Sequence, residues 1–201
     1  MTDGFFDKVY KTRGTEQTRD LYDAWSKTYD EELAQNNYVT PQRCADALAR
    51  FVDDKTQPLL DFGCGTGMSG LALRMTGFSV IDGRDLSPGM LAQARQKGIY
   101  RDLAQIGPDD PLPGGYGAIA AIGVIGSGAA PISVLDRIVE ALPPKGKTVF
   151  SFNDHTLEDP VYQARVDALI DAGIVMELCR EYGDHLPGQN INSMIYVIEK
   201  Q

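Results

Sequence analysis

The order of strand-like and helical segments predicts an α/β fold with a doubly wound, mostly parallel sheet. From residue 58 onwards, apolar strand-like segments alternate with helical segments. A glycine-rich turn at 63–67 follows the first strand, and the chain ends in two extended segments joined by a turn-rich loop at 183–190. The alternation predicts parallel strands with right-handed crossovers, and the last two segments predict an antiparallel hairpin.

Helical patterning dominates the chain before the first strand. Apolar and aromatic side chains recur at every fourth position, which predicts a helix over about 16–36. Thr40 as N-cap and Pro41 in the first turn mark the start of a second helix. We therefore expect an N-terminal helical cap, residues 1–55, followed by one α/β unit, residues 56–201.

Strands and helices alternate regularly through the α/β unit. The predicted strands lie near 58–62, 78–84, 99–104, 117–124 and 146–152, and the predicted helices near 67–76, 88–97, 131–141 and 158–172. The segment 111–135 carries no charge over a length that could span a bilayer, but six glycines and three prolines interrupt it. We interpret it as a strand buried on both faces, followed by a loop and a helix start, and expect no membrane insertion.

Net charge and cysteine spacing narrow the functional classes. The chain has 28 acidic against 19 basic side chains, a net charge of −9, which disfavours nucleic acid as a partner. Cys44, Cys64 and Cys179 are far apart and lack metal-ligand spacing, so we expect reduced thiols and no metal site. Residues 1–14 contain no apolar core of signal-peptide length, and we expect a cytoplasmic protein, monomeric or homodimeric.

The glycine-rich turn predicts a ligand site, because glycines at the carboxyl end of a strand let a ligand approach the backbone. The turn contains no Lys or Arg, which disfavours a nucleoside triphosphate. Gly65, Gly67 and Gly70 satisfy GxGxxG, and Asp85 follows about twenty residues later, so an NAD(P)-dependent reductase is an alternative. The long helical segment before the strand, the short chain and the lack of a helical Tyr/Lys pair count against that alternative.

Four segments carry a resemblance to a known family. LLDFGCGTG at 59–67 resembles the first motif of class I S-adenosylmethionine-dependent methyltransferases, an acid and one residue before GxGxG, and GRDLSPGMLAQAR at 83–95 resembles the second. YDAWSKTYDEEL at 22–33 and QKGIYRDL at 96–103 resemble bacterial relatives of the Williams-Beuren-region methyltransferase-like group. The resemblance implies a seven-stranded sheet in the order 3-2-1-4-5-7-6, with strand 7 antiparallel and an N-terminal helical cap.

The same resemblance implies S-adenosyl-L-methionine as cofactor and S-adenosyl-L-homocysteine as product. Asp61 would orient the amino group of the cofactor, directly or through water, and Asp85 would accept hydrogen bonds from its two ribose hydroxyls. The remaining predicted cofactor residues belong to four places. They are Gly63, Cys64, Gly65 and Gly67 in the glycine loop, Leu86 and Met90 at the adenine faces, Ile106 after the third strand, and Gly123 and Val124 beside the methyl-transfer centre.

Two segments depart from the family pattern. Gly107 and Pro108 stand where relatives carry an Asp-Leu pair, so adenine would be held by the backbone at Ile106, by Asp109, or less tightly. GSGAA at 126–130 replaces a polar, often histidine-containing stretch, which removes one candidate general base.

Aromatic side chains of the cap and two histidines are the candidates for the acceptor site. Tyr22, Trp25 and Tyr29 share one helical face, so they either pack on the edge of the sheet or line the substrate pocket. His155, after the fifth strand, is the candidate for a catalytic base, and His185 in the hairpin turn is equally placed at the carboxyl edge of the sheet.

The function predicted from these features is methyl transfer to an O, N or S atom of a small-molecule acceptor. The chain lacks the [DN]PPY and Pro-Cys motifs of nucleic-acid base methylation after its fourth strand. Methyl transfer requires side chains mainly to align the acceptor, the methyl group and the sulfur and to exclude water. A missing general base therefore does not argue against catalysis. A non-catalytic, methyltransferase-like cofactor-binding protein is the second alternative beside the reductase.

Overall fold

A single sheet of seven strands organises the protein. The computed structural model describes residues 15–126 and 128–201. The strands are β1 Leu59–Phe62, β2 Ile81–Asp85, β3 Asp102–Gln105, β4 Ala118–Ala121, β5 Lys147–Asn153, β6 Val175–Leu186 and β7 Ile191–Lys200. Their spatial order is β3-β2-β1-β4-β5-β7-β6, and β7 runs antiparallel to both of its neighbours. The predicted fold class, strand order and direction of strand 7 are confirmed.

Helices pack on both faces of this sheet. They are α1 Thr15–Trp25, α2 Tyr29–Gln35, α3 Thr40–Ala49, α4 Met68–Met75, α5 Pro88–Gln96, α6 Ser133–Ala141, α7 Asp154–Leu157 and α8 Pro160–Asp171, and a 3-10 turn at Pro187–Gln189 joins β6 to β7. One apolar cluster packs α6 and α8 against one face of the sheet, and a second packs α3 and α4 against the other. Helices on both faces make the parallel part of the sheet doubly wound.

The continuous helix predicted over 16–36 is wrong, because the chain turns between α1 and α2. The Ser26 hydroxyl donates to the Asp23 carbonyl oxygen at 2.8 Å, and the Thr28 N–H donates to the Trp25 carbonyl oxygen at 3.0 Å. Hydroxyl groups that bond to nearby backbone compete with helix continuation. Residues 1–14, in which we expected no signal peptide, lie outside the described part of the chain.

Of the two N-cap residues predicted from the sequence, one caps its helix and the other does not. Ser87 caps α5, accepting the Met90 N–H at 3.0 Å, with Pro88 in the first turn as expected. Thr40 is not the N-cap of α3, since Val39 occupies that position. The buried Thr40 hydroxyl instead contacts His185, 145 positions away in the sequence.

The apolar segment at 111–135 contributes the central strand β4, whose four residues are all buried, and the first turn of α6. A strand covered by helices on both faces has this continuous apolar character. None of the helices within residues 15–126 and 128–201 is both long and apolar enough to cross a membrane.

Candidate functional site

A cavity of about 260 Å³ lies at the carboxyl ends of β1, β2 and β4. Parallel strands bring their carboxyl ends to one edge of the sheet, where such folds bind ligands. The cavity brings together eight of the residues that the sequence predicts for cofactor binding: Gly63, Gly65, Asp85, Leu86, Met90, Ile106, Gly123 and Val124. Tyr22 and Tyr29 of the cap also line it.

Backbone conformation and steric contact explain two glycines of the loop after β1. Gly63 and Gly65 have φ of 71° and 51°, in the left-handed region that side chains rarely adopt. A Cβ at Gly63 would lie 2.4 Å from Cγ2 of Val124, so that position has no room for a side chain. At Gly65 no heavy atom of the described residues comes within 4 Å of the Cβ position, and a side chain there would enter the ligand space.

Asp85 ends β2 with its carboxylate fixed by two backbone amides. Gly65 N–H donates to Oδ2 and Ser87 N–H donates to Oδ1, both at 2.8 Å. Burial raises the pKa of the Asp85 carboxyl group. Because a carboxylate oxygen has two lone pairs, each oxygen can accept one further hydrogen bond, which suits a ligand with two adjacent hydroxyl groups.

Asp61 does not line the cavity, so the structure does not support direct contact with the cofactor, and the expected contact through water stays a prediction. Its side chain is 0% exposed, and Oδ2 accepts hydrogen bonds from the hydroxyl groups of Ser69 and Tyr100, both at 2.7 Å. The other oxygen, Oδ1, has no partner among the described residues, and burial raises the pKa of this carboxyl group to about 6. Asp61 lies under the glycine loop as a buried negative charge that influences a ligand through space.

Cys64 and Gly67 also lie outside the cavity lining. The Cys64 thiol is buried behind the loop, and burial raises its pKa well above the ordinary value, so it is not a thiolate nucleophile. The Gly67 N–H donates to the Cys64 carbonyl oxygen at 2.8 Å, which closes the turn before α4. Both residues shape the loop from behind, because the turn directs them away from the ligand side.

The segment after β3 leaves few backbone donors for an adenine ring. The Ile106 N–H already donates to the Asp85 carbonyl oxygen at 3.1 Å, and the Gly107 N–H donates to the Asp110 carboxylate at 2.6 Å. The Ile106 N–H is therefore engaged, so the predicted backbone contact to adenine at Ile106 is left to its carbonyl oxygen; Ile106 itself lines the cavity. Asp109 lines the cavity and keeps its place as the alternative polar contact.

A smaller cavity of about 70 Å³ adjoins the first, and four residues line both: Tyr22, Tyr29, Gly123 and Ala129. Trp25 lines the smaller cavity, and its ring packs against Tyr29 with centroids 4.6 Å apart. The three aromatic residues of the cap thus share one face and border the cavities, as the substrate-pocket alternative expected. Their location agrees with that hypothesis without testing their role.

His155, the predicted candidate base, lies outside both cavities. It belongs to α7, its side chain is 41% exposed, and its Nδ1 lies 3.8 Å from the Glu158 carboxylate. The structure therefore does not bring this candidate base into the lining of either cavity.

His185 is the histidine that the structure places at the site. It lies within β6, whereas the sequence-based expectation put it in the hairpin turn, and it lines the smaller cavity. Its Nδ1 is 2.8 Å from Thr40 Oγ1, and Tyr38 packs edge-on against the ring with centroids 5.1 Å apart. Burial lowers the pKa of His185 to about 4, so the imidazole is neutral at physiological pH.

Two carboxylates fasten the cap over the larger cavity. Asp23 accepts the Gly89 N–H at 2.9 Å and the Ser87 hydroxyl at the start of α5. Asp30 accepts the Lys97 ammonium at 2.6 Å and also the Thr66 hydroxyl of the glycine loop. We call this pair, Asp23 and Asp30, the cap latch.

Comparison with known proteins identifies the family. Residues 35–193 match the family model described as a methyltransferase domain, a span that includes the whole glycine loop and most of the sheet. The chain belongs to the class I S-adenosylmethionine-dependent methyltransferases. The cofactor of this methyltransferase family is S-adenosylmethionine.

Relatives of this methyltransferase agree in fold and differ in named activity. It is 33% identical over 125 residues to human methyltransferase-like protein 27, covering 59% of this chain and 51% of that protein, so it spans about half of the relative's length. It resembles magnesium protoporphyrin IX methyltransferase of Synechocystis with bound cofactor (TM-score 0.59, 15% identity, 98% and 90% coverage). It also resembles the [4+2]-cyclase SpnF (TM-score 0.59, 17% identity, 79% and 81% coverage).

The residues around the larger cavity of this methyltransferase fit S-adenosylmethionine. The Asp85 carboxylate can accept both ribose hydroxyls, and the buried Asp61 charge, with one oxygen unpartnered, favours a ligand that carries positive charge. Arg137 at the rim donates to the Pro108 carbonyl oxygen at 2.5 Å, and Arg19 pairs with Asp20 at 3.0 Å. The Arg137 guanidinium is therefore engaged by a backbone carbonyl oxygen, which makes it less suited to binding the phosphates of a dinucleotide.

Proposed function

We propose that this protein transfers the methyl group of S-adenosylmethionine to an O, N or S atom of a small-molecule acceptor. The observation that carries the proposal is the junction of the two cavities, where Tyr22, Tyr29, Gly123 and Ala129 line both. The larger cavity would hold the cofactor and the smaller one the acceptor. Methyl transfer requires the two reactants to meet in line, and a shared wall provides a meeting point.

When bound, the cofactor supplies a methyl group already activated by the sulfonium, so the residues of this chain need only to bind, orient and exclude water. The Gly123 N–H donates to Ser151 Oγ at 3.1 Å, which fixes the backbone at the junction. Burial raises the pKa of the Tyr29 phenol well above its ordinary value, so this side chain stays neutral beside the junction. The cap helices would keep bulk water away from the reacting atoms.

Size and charge support a small molecule as the acceptor. The smaller cavity measures about 70 Å³, which admits a compact group rather than a polymer segment. The net charge of −9 disfavours a nucleic acid. The three cysteines are free and buried, which supports the proposal of a cytoplasmic protein. We further propose that residues 1–55 are a helical cap on one globular unit, residues 56–201, and that the protein is monomeric or homodimeric.

Direct identification of the ligand tests the proposal. Mass spectrometry of ligands released from the purified protein, with calorimetric titration of S-adenosylmethionine, S-adenosylhomocysteine, NADH and NADPH, distinguishes the alternatives. We expect binding of the first two compounds only. Binding of a dinucleotide alone would overturn the proposal, and cofactor binding without turnover across a panel of small acceptors would favour the non-catalytic alternative.

A glycine pair locates the cofactor without relying on activity. Gly65 and Gly98 both have positive φ, 51° and 62°, and at both positions the Cβ would meet no heavy atom of the described residues within 4 Å. Gly65→Ala and Gly98→Ala should each reduce stability by about 1 kcal/mol through backbone strain. Gly65 alone lines the larger cavity, so only Gly65→Ala should weaken S-adenosylhomocysteine binding, by about tenfold or more.

Thermal unfolding measures the stability of both variants, and calorimetry measures their affinity for S-adenosylhomocysteine. Equal affinities in the two variants would place the cofactor away from the glycine loop. A much larger loss of stability in Gly65→Ala than in Gly98→Ala would mean that the loop lacks the free space described above.

A further inference from the structure

We propose that His185 presents an N–H donor, not a base, to the acceptor, and so selects an uncharged acceptor that carries a hydrogen-bond-accepting oxygen. The inference rests on the proposed function, since it concerns the smaller cavity as the acceptor pocket. It follows from a chain of hydrogen bonds that fixes which imidazole nitrogen carries the proton.

The chain of hydrogen bonds begins at Arg43. Its guanidinium donates to Ser193 Oγ at 3.0 Å, and a guanidinium can only donate. Thr40 Oγ1, 3.3 Å away, is the one acceptor that the described residues offer to the Ser193 hydroxyl proton. With that proton directed at Thr40, we infer that the Thr40 hydroxyl donates to His185 Nδ1, 2.8 Å away, because Nδ1 is the one other partner that the described residues offer to this hydroxyl.

This order of donors determines the tautomer of His185. Because Nδ1 accepts a hydrogen bond, the proton of the neutral ring resides on Nε2. Nε2 has no hydrogen-bond partner among the described residues, and the ring lines the smaller cavity. The free group that faces a ligand is therefore an N–H donor, which matches a carbonyl or similar oxygen and cannot remove a proton.

The charge of the pocket points to an uncharged acceptor. Its described lining consists of aromatic, aliphatic and neutral polar side chains, with no Asp, Glu, Lys or Arg. Asp154, Arg43 and His155 are the charged or titratable groups that influence His185 from outside the pocket. A charged acceptor would lose its hydration there without gaining an ion pair, and that transfer is strongly unfavourable.

The tautomer can be measured on the free protein. Nitrogen-15 NMR of the imidazole side chains should find His185 with a protonated Nε2 and an unprotonated Nδ1 at neutral pH. In Thr40→Val, which keeps the shape but lacks the hydroxyl, the Nδ1-protonated form should become populated. A wild-type ring protonated at Nδ1 would overturn the proposal.

Three small probes of similar size test selectivity: acetamide, acetate and ethylammonium. Each is titrated into the protein saturated with S-adenosylhomocysteine while the Nε2–H resonance of His185 is followed. We expect acetamide to shift this resonance and the two ions to bind about tenfold more weakly or not at all. Binding of either ion at least as tight as that of acetamide, or an unmoved resonance with acetamide, would overturn the proposal.

Matched variants distinguish loss of the His185 N–H donor from a change in the shape of the pocket. Because variants at position 185 lack the imidazole, acetamide binding is followed by the chemical shifts of the backbone amides of residues 123–126. His185→Gln offers an amide N–H and should keep the acetamide response, whereas His185→Phe should lose it. Equal loss in the Gln and Phe variants would contradict the donor role. Failure of S-adenosylhomocysteine to bind wild type would overturn the proposed function instead, while the tautomer measurement would stand by itself.

Discussion

Asp85→Ala should weaken binding of S-adenosylhomocysteine by about 1.5–3 kcal/mol, roughly 10- to 150-fold in Kd. The side chain ends β2 inside the larger cavity, with each carboxylate oxygen already oriented by one backbone N–H. Hydrogen bonds to a charged group are the strongest that a ribose diol can make here, and alanine removes them all. Calorimetric titration of the wild type and the variant measures the difference.

A second ligand and a control variant sharpen the Asp85 experiment. Methylthioadenosine shares the ribose but lacks the amino acid part, so Asp85→Ala should weaken its binding by a similar factor. Asp102→Ala removes a surface carboxylate that pairs with Arg84 at 2.7 Å outside the cavity, and its affinity should equal that of wild type. Unchanged affinity in Asp85→Ala would mean that the ribose lies elsewhere.

The buried Asp61 should make the unfolding free energy fall as pH rises from about 4 to about 6. Burial raises the pKa of its carboxyl group from 3.8 to about 6, so the folded state keeps a proton that the unfolded state releases in this interval. Stability from this group is complete below pH 4 and is lost as pH passes 6. The loss is the pKa difference multiplied by about 1.4 kcal/mol, which is about 3 kcal/mol.

Asp61→Asn removes this titration while keeping the shape of the side chain. Denaturant unfolding of both proteins between pH 4 and 8 should give a difference in unfolding free energy that moves by about 3 kcal/mol in favour of the variant as pH rises. Asp53→Asn, on the exposed surface after α3, reports the effect of removing one carboxylate in general. A difference that stays constant with pH would show that Asp61 ionises as easily as a surface carboxylate.

Local signals predicted most of the scaffold. The alternation of apolar and amphipathic segments located the strands, the Ser87-Pro88 pair located the start of α5, and the final two segments gave the hairpin. Motif spacing also predicted a shared site for Gly63, Gly65 and Asp85, and all three line the larger cavity. These features depend on residues close together in the chain, and parallel topology then places strand ends side by side.

Long-range contacts account for what the sequence did not predict. Thr40 looked like a helix cap and His185 like a turn residue, yet each is buried against the other across 145 positions. Asp61 belongs to the motif but turns inwards, because Ser69 and Tyr100 supply donors behind the loop. Spacing identifies such residues without revealing on which side of the loop each side chain lies.

The cap latch has a kinetic consequence. Because Tyr22 and Tyr29 of the cap line the larger cavity, we expect the release of a bound nucleoside to require that the cap lift. Asp30 and Lys97 form a partly exposed ion pair, which salt screens. We therefore expect higher ionic strength to shorten the residence time of S-adenosylhomocysteine, which stopped-flow measurement of its release would show.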